Sequence, residues 1–170
     1  MFKVNDPVVH PGKGAGVVLD IKRMPRLKGN QRYYKIKIVG RDEKTTLMVP
    51  LKKAEEIGLR PAIPEANLGQ VWEILSGQPL GLPAQHKKRY QLLKDKLSTG
   101  EVGRAAEVVR DLEWRRLQIR RLNVPGERIY KKAMRFLVGE LAVSQGVEVQ
   151  TVEEKVTRLL GESLSSHMVQ

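Results

Sequence analysis

The chain has 170 residues, with 31 lysines and arginines against 19 aspartates and glutamates, and its formal net charge is +12. It contains no cysteine, which excludes disulfides, thiolate metal sites and cysteine nucleophiles. No apolar run follows Lys3, and no stretch is long and apolar enough to cross a bilayer, so we expect a soluble cytoplasmic protein without a membrane anchor.

The positive charge is concentrated in two blocks. Residues 1–60 carry 14 basic and 6 acidic side chains, and residues 85–135 carry 15 and 6. The segments 61–84 and 136–170 are mildly acidic. A basic surface gains affinity by displacing counterions from a nucleic acid, so this distribution predicts nucleic-acid binding. The alternative is that the basic residues only keep the protein soluble.

The first block is predicted to form short strands that make a small, strongly bent β-barrel. The strand-forming segments are residues 8–9, 17–18, 33–38 and 45–50. The glycines of segment 11–16 supply the backbone angles that a tight bend between the first two strands needs. Residues 33–38 alternate large and basic side chains with period two, which is typical of a strand with one buried face.

From Pro64 onward the apolar spacing becomes helical and predicts five helices. We expect them at residues 64–77, 84–97 and 101–122, then from the break at 123–126 to Gln145, and from Thr151. Thr151 and Glu154 are expected to form a capping box, and Ile119 to lie on the apolar stripe of the third helix. The loop 77–83 is rich in proline and glycine, and we expect it to pack down. The predicted fold class is α+β. We expect the chain to fray beyond Gly161, and residues 166–170 to form a frayed tail outside the helical domain.

Five motifs follow one another along the chain. They are FKVNDPVVHPGKGAGVVLDI at residues 2–21, KRY at 88–90, AEVVRDL at 106–112, GER at 126–128 and LVGELA at 137–142. In type and order they resemble the CarD/CdnL family of bacterial transcription regulators. The resemblance implies a Tudor/SH3-like barrel over residues 1–62 that interacts with RNA polymerase, and an all-α, basic DNA-binding domain over residues 63–165.

The resemblance implies that the barrel adds a strand edge to the β subunit of RNA polymerase. The positions that match the family's contacts are Met24, Arg26, Leu27, Thr46, Leu47 and Met48. Family members often carry arginine at the positions of Met24 and Met48, so a salt bridge in relatives would become an apolar contact here. The alternative is that both methionines belong only to the barrel surface or core.

The start of the second helix is implied to contact promoter DNA. The matching residues are His86, Lys87, Lys88, Arg89, Tyr90 and Arg128, and Lys94, Arg115, Arg116, Lys131 and Lys132 could extend their surface. Relatives carry a tryptophan where this chain has His86, and its indole wedges into the minor groove at the upstream edge of the melted promoter. An imidazole is smaller, so we predict retained backbone contact and a weaker grip. The alternative is that His86 is a solvated loop residue.

The two tryptophans are expected to play different parts. Trp114 lies away from the apolar stripe of its helix, so it could replace the missing wedge or pack against a neighbouring helix. Trp72 shares an apolar face with Leu68 and Leu75 and is expected in the core.

The sequence therefore predicts a monomeric, nucleoid-associated regulator that docks on the RNA polymerase β subunit. It would grip the phosphates and minor groove of upstream promoter DNA without strong sequence specificity, and so stabilise the open promoter complex. We predict no catalytic residue, metal or cofactor, because the histidines are isolated and the acidic pairs point apart. One alternative is a ribosome- or RNA-associated binding module. Another is a detached relative of the polymerase-binding module of the transcription–repair coupling helicase, although no nucleotide-binding motif is present.

Overall fold

The computed structural model of the chain describes residues 1–25, 30–40 and 45–170. Its backbone contacts define two compact units. The first comprises Met1–Ile63 and Gly139–Val149, and the second comprises Pro64–Val138 and Gln150–Gln170. The sequence-based division places residues 63–165 in one helical domain, whereas the structure groups Gly139–Val149 with the strands.

The first unit is built on an antiparallel sheet of five strands. The strands are β1 (Pro7–His10), β2 (Gly14–Arg23), β3 (Arg32–Ile38), β4 (Thr46–Pro50) and β5 (Arg60–Pro61). Their order is β4-β3-β2-β1-β5, so β4 and β5 form the two edges. The short helix α1 (Ala54–Ile57) lies between these edge strands in sequence. A bulge between Val18 and Asp20 interrupts the β2–β3 register, and such bulges increase the bend of a sheet.

The face of the sheet that carries Val18 and Ile36 is buried, as the period-two pattern predicts, and part of the opposite face, at Val9 and Ala15, is buried as well. Val18, Ile36 and Leu47 are opposite one another on β2, β3 and β4, and Val18 and Ile36 are fully buried. The next row toward the outer face contains Asp20, Lys35 and Met48. The strands therefore enclose an apolar core on one side and present a charged row on the other.

The segment Gly139–Val149 is attached to the sheet through a buried carboxylate. Arg60 Nη1 and Nη2 donate to the two oxygens of Glu140 at 2.7 and 2.8 Å, and the Ile63 amide donates to Glu140 Oε1 at 2.9 Å. The Glu140 side chain is only 3% exposed. Ser144 Oγ donates to the Ile63 carbonyl at 2.5 Å. This segment is therefore an integral part of the first unit.

Gly16 lies where β2 and β3 leave no room for a side chain. A Cβ at this position would lie 2.4 Å from the Lys37 carbonyl oxygen and 2.8 Å from Ile36 Cγ2. The backbone oxygen cannot move without disturbing the ladder, so we expect Gly16→Ala to lower the free energy of unfolding by about 1–3 kcal/mol in urea denaturation.

Gly161→Ala is the matched control for this prediction. Gly161 lies inside an exposed helical stretch, with no neighbouring atom within 4 Å of an added Cβ. There we expect a gain of about 0.5–1 kcal/mol, because alanine has the higher helix propensity. Equal stability of the two variants would contradict the close approach at Gly16.

Beyond Pro64 the chain forms helices, and the predicted number of five is confirmed. They make up the second unit, except that the residues from Gly139 to Val149 belong to the first unit. The helices are α2 (Leu68–Ser76), α3 (His86–Ser98), α4 (Val102–Ile119), α5 (Val124–Gln145) and α6 (Val149–Met168). Helix α4 contacts both α2 and α3, and it buries Ala106, Val109 and Leu112. Together with the sheet, these helices confirm the α+β class. In the described ranges no helix is long and apolar enough to cross a membrane.

Helix α6 differs from its prediction at both ends. It begins at Val149, so Thr151 lies inside the helix and the predicted capping box does not start it. It continues to Met168, past the point where fraying was expected. Leu164 is fully buried, and Ser163 Oγ donates to the Ser76 carbonyl at 2.8 Å, which accounts for the extra length.

Two side chains that were predicted to be buried are not. Ile119, at the end of α4, is 45% exposed. Trp72 is half-buried, and Lys155 Nζ lies 4.2 Å from the centroid of its ring. The helical spacing predicts on which face of its helix each residue lies. It does not predict how far the neighbouring helices extend to cover that face.

Candidate functional site

Strand β4 forms an open edge of the sheet, because among the described residues it pairs only with β3. The Ile38 amide donates to the Thr45 carbonyl at 3.3 Å, which fixes the direction of the backbone groups along the strand. Backbone groups alternate in an antiparallel ladder, so those of Leu47 point toward β3 and those of Thr46 and Met48 point outward. The edge can therefore accept a further strand at Thr46 and Met48.

The side chains of β4 alternate between the outer face of the sheet and its core. Met48 lies opposite Lys35 and Thr46 opposite Lys37 on the outer face. Leu47 packs against the core of the sheet. Thr46 and Met48 are therefore the β4 side chains that are mainly available to a partner. Met48 therefore belongs to the outer face and not to the core.

The other residues predicted for the polymerase contact lie beyond β2. Met24 is half-buried, and its amide donates to the Gln31 carbonyl at 3.4 Å. Arg26 and Leu27 lie outside the described residues. The contact role of the whole set stays a prediction.

Arg89 differs from its predicted placement on the DNA-facing surface. It is 2% exposed, and its Nη1 donates to the carbonyl oxygens of Pro83 and Ala84 at 3.0 and 2.9 Å. Its Nη2 lies 2.8 Å from His86 Nδ1. A guanidinium buried among these acceptors holds the loop before α3 in place and is not presented to a phosphate.

A buried ion pair between Arg110 and Asp111 anchors the same loop. Asp111 Oδ1 accepts from the Leu80 amide at 3.0 Å and from Arg110 Nε at 2.8 Å. Arg110 Nη1 also donates to the Ile74 carbonyl at 3.1 Å. The loop 77–83 is therefore hydrogen-bonded to Asp111 at Leu80 and to Arg89 at its end, as the expected packing requires. These bonds fix the position of the start of α3.

The carboxylates of α4 that face Lys96 complete this charged layer. Lys96 Nζ lies 3.0 Å from Glu107 Oε2 and 4.0 Å from Asp111 Oδ2. Burial alone would raise the pKa of Glu107, but the hydrogen bonds and charges of Lys96 and Arg104 outweigh burial and hold this pKa below its ordinary value. Glu107 is therefore ionised and binds α3 to α4.

A small groove opens beside the start of α3, with a volume of about 160 Å³. Its lining combines aromatic, apolar and cationic side chains, among them His86, Tyr90, Arg115, Ile119, Arg121 and Asn123. The exposure of Ile119 is explained by its place in this lining. Such a combination suits a ligand with flat apolar faces and negative charge.

The aromatic side of the groove is held in place by α5. The Tyr90 hydroxyl donates to Asn123 Oδ1, which also accepts from the Gly126 amide at 3.0 Å. The rings of His86 and Tyr90 lie 6.2 Å apart at an interplanar angle of 39°. Sequence reasoning missed the role of Asn123, although an asparagine directly before the first residue of a helix is a common N-cap signal.

The cations predicted to face DNA fall into two groups. Lys87, Lys88 and Arg128 are exposed at the starts of α3 and α5. Arg116 instead joins α4 to α5, because it lies 2.5 Å from Glu113 and 3.1 Å from Glu127 and 4.2 Å above the Tyr130 ring. Burial and Glu113 raise the pKa of Tyr130 above its ordinary value, which keeps the hydroxyl protonated.

Two other predictions concern Trp114 and metal binding. Trp114 is half-buried, which neither the wedge nor the packing interpretation requires or forbids. In the parts of the chain that the structure describes, no three His, Asp and Glu side chains form a group that could hold a metal ion.

Comparison with known proteins gives matches over both parts of the chain. Residues 2–63 match the family described as CarD-like/TRCF RID domain, and residues 70–157 match the family described as CarD, C-terminal domain. The chain is also similar to "Putative transcription factor YdeB" of Bacillus subtilis (strain 168), with 31% identity over 153 residues that cover 90% of this chain and 98% of that protein. The family that the motifs predict is confirmed, and the chain belongs to the CarD-like transcription factor family.

Proposed function

We propose that this protein docks on the β subunit of RNA polymerase through β4 and contacts upstream promoter DNA through the start of α3, thereby stabilising the open promoter complex. It acts by binding and not by catalysis, as a cytoplasmic, nucleoid-associated protein. The observation that carries the docking proposal is the open β4 edge, whose outward backbone groups at Thr46 and Met48 suit strand addition.

The match of residues 2–63 to an RID, an RNA-polymerase-interacting domain, supports the same partner. Outer-face Lys35 and Lys37 flank the edge, so a partner strand with acidic side chains would fit it best. A protein held on polymerase reaches the adjacent DNA at high effective concentration, so weak contacts suffice there. It shifts the promoter toward the open state only by the difference between its affinities for the open and closed forms.

Titration calorimetry of the full chain against the lobe of the polymerase β subunit tests the docking step. We expect a dissociation constant in the micromolar range or below. No binding to the lobe, together with tight binding to structured RNA in the absence of polymerase, would overturn the proposal in favour of an RNA-associated role. The full chain is required because the first unit includes Gly139–Val149.

The DNA step predicts a characteristic salt dependence. Lys88 and Arg128 are exposed cations, and we expect Lys88→Gln and Arg128→Gln each to lower the slope of log affinity against log salt by about 1. The loss should be similar for unrelated DNA sequences, because phosphate contacts carry no sequence information. Fluorescence anisotropy with labelled duplexes over a salt series measures both effects.

Arg158→Gln is the control for these two substitutions. Arg158 is an exposed cation on α6, outside the proposed surface. An equal change of slope in all three variants would show that only the net charge of the protein matters.

A further inference from the structure

Arg89 and His86 lie one helical turn apart at the start of α3, and their side chains meet. Arg89 Nη2 is 2.8 Å from His86 Nδ1, while Nη1 is used by the carbonyl oxygens of Pro83 and Ala84. Arg89 is 2% exposed and His86 is exposed. One member of the pair is therefore fixed inside the unit, and the other reaches the surface.

The chemistry of this pair sets the position of the proton on His86. A guanidinium has only donors, so Arg89 donates and His86 Nδ1 accepts. A ring nitrogen that accepts carries no proton, so the single proton of this imidazole lies on Nε2. The edge of His86 that is not bonded to Arg89 thus offers an N–H group and no acceptor.

We propose that Arg89 is a positioning residue, which holds His86 in the Nε2–H form and makes it a fixed hydrogen-bond donor to the minor groove of promoter DNA. This inference rests on the proposed function and assigns the ligand group to one atom. The minor groove of an A·T pair presents only acceptors, so a neutral aromatic ring with one N–H suits it.

The neighbouring ring restricts His86 further. Tyr90 lies 6.2 Å from it, and the Tyr90 hydroxyl is bonded to Asn123 at the start of α5. Arg89 also lies 5.1 Å from the centroid of the Tyr90 ring. Both aromatic side chains of the groove are therefore oriented before any ligand arrives, which lowers the entropy cost of binding.

Nitrogen-15 NMR of the free, full-length protein labelled at histidine tests the first half of the proposal. We expect His86 to show a protonated Nε2 and an unprotonated Nδ1 in the wild type, and a mixture of the two tautomers in Arg89→Met. His10 is an internal control, because its Nδ1 accepts from the Gly12 amide at 3.1 Å and should keep its tautomer in both proteins. His86→Asn identifies the signals of His86.

A mixture of tautomers at His86 in the wild-type protein would overturn the proposal even if Arg89→Met does not fold. This measurement involves no DNA. Its outcome is thus independent of whether the proposed function is correct.

The second half is tested with a duplex that carries a melted A·T-rich end. In His86→Asn the side-chain oxygen can still accept from Arg89, but the ring and its Nε2–H are lost. We expect its affinity for this DNA to fall about three- to tenfold, with no change for Arg158→Gln. Unchanged affinity of His86→Asn would overturn the donor role. Absence of DNA binding by the wild type would overturn the ligand and the proposed function together, while the tautomer result shows whether Arg89 still positions His86.

Discussion

Replacing Met48 by proline is expected to weaken docking on the polymerase β subunit at least about tenfold while the first unit stays folded. The Met48 backbone points outward from β4, so its N–H takes no part in the β3–β4 ladder. Proline removes this donor and places its ring where a partner strand would pair. An edge strand tolerates proline with its nitrogen toward solvent, and β4 already ends with Pro50 in that orientation.

Met48→Ala is the control for the backbone effect. It removes the half-buried side chain but keeps the N–H group, so we expect only a fewfold loss of affinity. Calorimetry against the β lobe gives both affinities, and circular dichroism shows whether each variant is folded. Equal losses in the two variants would mean that the side chain, and not strand pairing, provides the contact.

Replacing Glu140 by alanine is expected to lower the free energy of unfolding of the first unit by about 3–5 kcal/mol. The carboxylate is 3% exposed and accepts hydrogen bonds from Nη1 and Nη2 of Arg60 and from the Ile63 amide. Removing it leaves a buried amide without its acceptor and takes from the Arg60 guanidinium its two hydrogen bonds to this carboxylate. The Arg60 side chain is 35% exposed and can be partly hydrated, so we expect a value near the lower end of this range.

Two further variants separate this effect from a general loss of charge. Arg104→Ala breaks a pair whose arginine is 48% exposed, and we expect a loss below about 1 kcal/mol. The double variant Arg60→Met, Glu140→Leu removes both charges and should regain much of the stability that Glu140→Ala loses. Urea denaturation followed by circular dichroism measures all three. A double variant that is no more stable than Glu140→Ala would show that the loss of the ion pair does not determine the lower stability.

Local patterns in the sequence predicted the elements well. The alternation over residues 33–38 identified a strand whose Tyr34, Ile36 and Ile38 share a buried face, while Tyr33 on the opposite face is buried as well. The helices of the second unit begin and end close to their proline and glycine signals. Helix α6 is the exception, because its length depends on the burial of Leu164, which is a tertiary property.

Pairings between distant residues could not be predicted. Glu140 interrupts the apolar run LVGELA, which indicates a buried charge that needs a partner, but nothing in the pattern points to Arg60. The sequence predicts one surface from the basic run at residues 87–89, whereas the helix exposes Lys87 and Lys88 and buries Arg89. Charge patterns show which residues could bind a polyanion, and only the packing shows which of them are already bonded within the protein.

The attachment of Glu140 to Arg60 also has a consequence for biosynthesis. A ribosome releases the chain from its N-terminus, so the strands emerge long before Glu140 does. Until that residue appears, the Ile63 amide lacks its acceptor and Val9, Ala15 and Ala62 lack their contact with Val143. The strands, which are made first, therefore form a complete first unit only after the segment Gly139–Val149 has been synthesised, and a product that ends before Gly139 would carry an unfinished first unit.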